Sequence, residues 1–231
     1  MSLAQHLRAL GARFDAQALL PPVAAASAAT PLQRHAKLQE QLQAWCWQGA
    51  GPGTAAWWQP GAQPAVGQRL AVAIALAAPC GPHVAPETSA ASHAHLADWA
   101  NAFARQLDGG TRLDNITSKL SGLQLRLATK LQDAQWWRPR QPSDPWDAGW
   151  AIHTPAALQQ LQHRFLPRRA TLILADAQAA QSLQPCLAAL ALRRGDFSHP
   201  VRWLWVGEVG DLSDGGLMPG PSLARFQLGA G

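Results

Sequence analysis

The chain predicts an α/β protein: a parallel sheet with helices on both faces, preceded by an N-terminal helical segment. Three observations predict this. Short runs that are apolar on both faces, at 69–78, 170–175 and 201–206, read as fully buried strands of a parallel sheet. Helical-period segments separate them, giving the order β-α-α-β-α-β-α-β. The composition, 48% apolar and 14% charged over 231 residues, is that of a chain able to build a core.

The elements follow in order. Leu3, Leu7, Leu10, Phe14 and Leu19 share helical spacing over 2–20, and Pro21 with Pro22 ends that segment. Thr30 and Pro31 form a helix start, N-cap followed by proline. Leu32, Leu38, Leu42 and Trp45 mark one face of the helix to Trp47. Residues 48–67 carry five Gly and three Pro and read as loop. The first strand is 69–78. A helix from Ser92 to Leu107 carries Leu96, Trp99, Ala100 and Phe103 on one face. A second, capped by Asp114, carries Ile116, Leu120, Leu123, Leu127 and Leu131. A short strand at 146–152 comes next, then a helix opened by Thr154 and Pro155, the strand 170–175, a helix at 178–193 and the strand 201–206. The tail holds seven Gly over 207–231 and little periodicity. The organisation is therefore 1–66 helical segment and loop, 67–207 α/β domain, and 208–231 Gly/Pro-rich tail.

Charge and cysteine content narrow the partners. The net charge is +5 and the pI about 9.9, but 16 of the 19 basic residues are Arg, and they are scattered. No basic run reads as a nucleic-acid tail, so composition argues against nucleic acid as the partner. Cys46, Cys80 and Cys186 are odd in number and widely spaced, as in reduced cytosolic proteins. No apolar window reaches membrane-spanning length, and the N-terminus lacks a signal-peptide apolar core. A cytoplasmic location without membrane insertion is expected.

Two segments carry a resemblance. Arg168-Arg-Ala-Thr-Leu-Ile-Leu-Ala-Asp176 is a buried strand ending on an acid. A helix follows it, then His199-Pro-Val-Arg-Trp-Leu-Trp-Val206. Together with Trp146-Asp-Ala-Gly-Trp150 ahead of a helix, this resembles the Walker B region of STAND-type P-loop NTPases, over about 68–207. The resemblance implies a P-loop NTPase-like fold in which Asp176 stands where a magnesium-holding acid would be. A second, adjacent acid often activates water in that family, and the neighbour in this chain is Ala177. The loop expected to carry a Gly-rich phosphate grip with Lys is 79–92, which has one Gly, three Pro and no Lys. Without a tight Gly turn the backbone N–H groups cannot cradle phosphates, and without Lys their charge goes unopposed. Asp176 is then vestigial, no cofactor is expected, and its ordinary structural role would be to cap the next helix.

Other chemistry is thin. Cys80, His83, His93 and His95 lie within 16 residues, but His93 and His95 are two apart on a helix and face different ways, so no metal site is assigned. Cys80 with His83 lacks any nucleophile elbow. Most tryptophans serve an Ala-rich core that needs bulk. The exception is Trp136-Trp137-Arg138-Pro-Arg140, in a proline-rich loop, where Trp and Arg would concentrate binding energy. Trp136, Trp137, Arg138 and Arg140 are the expected partner-binding residues, and the partner another protein subunit. The expected function is a non-hydrolysing, NTPase-like regulatory or scaffold subunit. The alternatives are a nucleotide-dependent enzyme completed by a partner chain, or a basic DNA-associated accessory protein.

Overall fold

A computed structural model describes residues 17–23, 35–47, 69–77, 86–109, 145–197, 199–207 and 224–228. Its elements are β1 (Leu19–Leu20), α1 (Ala36–Cys46), β2 (Leu70–Ala77), α2 (Pro86–Leu107), β3 (Asp147–Ala151), α3 (Pro155–His163), β4 (Thr171–Asp176), α4 (Ala180–Leu192), β5 (Val201–Val206) and β6 (Ala224–Leu228). The protein is α/β, with one six-stranded sheet in the order β1-β3-β4-β5-β2-β6. All neighbours pair in parallel except β1, which runs antiparallel to β3.

The central strands are apolar throughout because both faces are covered. In β5 every residue is buried, and successive side chains alternate between two clusters. Val201, Trp203 and Trp205 face the side of α3 and α4, packing with Leu161, Leu183, Leu187 and Leu190. Leu204 and Val206 face α1 and α2, packing with Leu42, Leu96, Trp99 and Phe103. Bulk is divided by side. On the α1/α2 side β2 and β3 contribute small residues, Ala73, Ala75 and Ala148, and the helices supply Trp45, Trp99 and Phe103. On the other side the sheet itself supplies Trp203 and Trp205. Each such indole buries roughly 150–250 Å².

Several element boundaries differ from expectation. The segment 2–20 was expected to be helical throughout, yet Leu19–Leu20 is an edge strand. It pairs closely because residue 149 is glycine: a Cβ there would sit 2.7 Å from the Leu20 carbonyl oxygen. Helix α2 begins at Pro86, not Ser92, since proline suits the first helical turn, where its missing N–H has no intrahelical partner. The tail contains β6, which adds to the outer side of β2. Thr154 caps α3 as expected, its Oγ1 accepting from the Ala157 N–H at 3.3 Å. The Leu120 stripe lies outside the described residues.

Candidate functional site at the carboxyl edge of the sheet

In a parallel sheet, ligands gather where crossovers from adjacent strands leave in opposite directions, beyond the carboxyl ends. That point lies between β5 and β2. The crossover from β2 leads past β5 and β4 to β3, and that from β5 leads the other way, past β2 to β6. Asp176 closes β4 beside it.

Asp176 turns the chain from strand to helix. Its Oδ1 accepts the Gln178 N–H at 2.8 Å, capping a short 3-10 turn at Ala177–Ala179 that leads into α4. The carboxylate is one-third exposed. Across from it stands His93 of α2, whose buried Nε2 lies 3.5 Å from the same Oδ1. That separation is an electrostatic contact, longer than a good hydrogen bond. The imidazole also rests against the end of β5. Gly207 has φ +110°, and a Cβ there would lie 2.7 Å from both Cδ2 and Nε2 of His93. Its N–H still bonds the Ala75 carbonyl at 3.0 Å, extending the β5–β2 ladder by one residue. His93 is thus packed over the ends of β4 and β5, and glycine at 207 is what makes room for it.

The other singled-out residues are dispersed. His95 turns from His93 toward His35 of the turn before α1, the ring centroids 5.7 Å apart. Among the described residues no group of three or more His, Cys, Asp or Glu could hold a metal ion. Cys80, His83, Trp136, Trp137, Arg138 and Arg140 lie outside the described residues. The described tryptophans are core or its margin: Trp47 stacks edge-on against Trp146 at 5.3 Å, and the Trp150 Nε1 donates to Asn101 Oδ1 at 2.7 Å.

One buried charge escaped the sequence reading. Arg202 of β5 is 1% exposed and sits on the α1/α2 side. Its Nε donates to the Cys46 carbonyl at 3.1 Å and the Trp45 carbonyl at 3.4 Å, and its Nη1 to the Val201 carbonyl at 3.2 Å, which sets the cation against the end of α1. Burial lowers its pKa to about 10, with the adjacent Cys46 opposing, so it stays charged at neutral pH. Burial pushes the Cys46 thiol up to about 12, partly offset by Arg202. Cys186 is also raised by burial, against a hydrogen bond from Gln162. Both thiols are protonated and enclosed, which suits packing and not nucleophilic chemistry. An Arg inside an otherwise apolar strand, Val-Arg-Trp-Leu-Trp-Val, was the available signal.

No protein family, curated protein or solved structure matches the chain. Among the described residues, no helix is long and apolar enough to cross a membrane.

Proposed function

We propose that this chain is a non-hydrolysing, NTPase-like regulatory or scaffold subunit that acts by contact with another protein. The observation that carries this reading is the engagement of Asp176. A carboxylate that holds a nucleotide-bound magnesium must present its oxygens to the cleft. One of the two Asp176 oxygens, Oδ1, accepts a backbone N–H and faces the His93 ring, which takes up part of the carboxylate's capacity for a metal. Its neighbour is Ala177, which can neither position nor activate water, and 79–92 carries no Lys and a single Gly. Each departure weakens a different part of phosphoryl transfer: metal, water and phosphate grip.

Titration calorimetry of the full chain with ATP and magnesium tests the reading. No binding heat is expected. A low-micromolar Kd, about −8 kcal/mol, would overturn it. Asp176→Asn sharpens the test, because Asn caps as well as Asp. An unchanged melting temperature is expected for this variant. If nucleotide does bind the parent chain and Asp176→Asn abolishes it, the alternative of a nucleotide-dependent enzyme is the better reading.

A further inference from the structure

The sheet has two edge strands, and they are built differently. Strand β1 closes one side and β6 the other. An edge strand presents a row of backbone N–H and C=O groups to any strand that can reach it, and proteins blunt such edges with short strands, proline and lysine. Strand β1 is blunted in this way: it is two residues long, and Pro21 with Pro22 follow it. Strand β6 is five residues long and contains neither proline nor lysine. Among the described residues no strand pairs with its outer side.

The two faces of β6 differ. Ala224 and Phe226 pair with Ala73 and Ala75 and lie half-buried on the α1 side. The Phe226 ring meets Trp45 of α1 edge-on, the centroids 6.0 Å apart. Arg225 and Gln227 pair with Ile74 and Leu76 and are exposed on the other face.

We propose that β6 pairs antiparallel with β6 of a second copy of this chain, joining the two sheets edge to edge. A two-fold axis normal to the sheet keeps like faces together, so residues that meet must point to the same face. The register that engages the whole strand centres on Phe226. In it Phe226 meets Phe226, and Arg225 of each copy meets Gln227 of the other. A register centred on residue 225 pairs fewer residues and sets Arg225 against Arg225, and like charges directly opposite are destabilising. The full register instead gives the one charge in β6 a neutral amide whose oxygen can accept from it. It also sets two aromatic rings side by side next to Trp45, a favourable cross-strand pair. The same backbone groups would accept any extended segment. What singles out a second copy is that the strand is complementary to itself. Each copy has one such edge, so the assembly closes at two.

Sedimentation of the full chain at up to about 0.3 mM tests the proposal, because one strand pair is a small interface and gives a weak dimer. A reversible monomer–dimer equilibrium is expected. Gln227→Lys sets a second cation opposite Arg225 at both ends of the pairing, and Gln227→Glu sets an anion there. Residue 227 is exposed, so both variants keep the fold. Two cross-strand pairs change per dimer, so Kd should rise roughly 2- to 30-fold with Lys and fall by a similar factor with Glu. Amide exchange over 224–228 should slow as protein concentration rises. A dimer indifferent to both changes at 227, exchange indifferent to concentration, or growth beyond the dimer overturns the proposal. A monomer throughout the range overturns it in favour of a strand from a different protein. The pairing goes beyond the reading of Asp176 and does not rest on it, so calorimetry with ATP and sedimentation can fail separately.

Discussion

Gly207 is the residue on which the carboxyl edge turns. Its φ of +110° is open to glycine and strained for any side chain, and the space a Cβ would take is filled by the His93 ring. Gly207→Ala should therefore destabilise the fold by on the order of 1–3 kcal/mol, from backbone strain before any clash is added. Adding His93→Ala removes the clash and leaves the backbone term. The double variant should then be more stable than the two single changes predict by addition. Urea unfolding of the four proteins measures this. Simple additivity would mean that the ring is not seated against residue 207. Neither residue announces its part in the sequence. His93 looks like half of a His-x-His pair, and Gly207 like the first residue of a glycine-rich tail. Their meeting with Asp176 depends on which strands lie side by side, and local pattern carries no information about that.

At the scale of elements, the join between α1 and β5 is the one most open to test. Arg202 brings a desolvated cation into the core, which is unfavourable, and satisfies two carbonyls at the end of α1, which is favourable. Arg202→Leu removes both terms. Charge-assisted hydrogen bonds contribute about 1.5–3 kcal/mol, and the Cys46 carbonyl would lose its guanidinium donor. A net loss of that size is expected, read as a lower denaturant midpoint with an unchanged slope. An equal or higher midpoint would show that desolvation of the guanidinium dominates.

The same elements show what the sequence makes legible. Strands buried on both faces, β2, β4 and β5, stand out as largely apolar runs, interrupted in β5 by Arg202. Helix α3 stands out through Thr154 and Pro155. Strand β1 is two residues long, too short to show any period. Strand β6, Ala-Arg-Phe-Gln-Leu, is half exposed at the sheet margin and sits among glycines and prolines that read as tail.

Across the whole molecule, the two cores lie on opposite faces of one sheet and depend on helices from both ends of the chain. Leu38, Leu42, Trp45 and Cys46 of α1 are packed into the cluster that also holds Leu172, Leu174 and Leu204. A chain beginning at residue 48 would uncover that face and leave Arg202 without its two carbonyls. Such a truncation should bind a hydrophobic dye and lose cooperative unfolding, as checked by dye fluorescence and a thermal melt. A cooperative melt near that of the full chain would show that α1 is dispensable.

The Arg202 join also sets a timetable. Cys46 and Arg202 are 156 residues apart. Closing a loop of that length carries an entropy term of about 4–5 kcal/mol, which favours late formation of the contact. On the ribosome, at about 5–20 residues per second, α1 emerges roughly 8–30 s before the strand that will hold it. During that interval Leu38, Leu42 and Trp45 have no sheet to cover, and the nascent chain is most open to aggregation or to a chaperone. The last strand to join the centre of the sheet is thus also the one that ends the wait of α1.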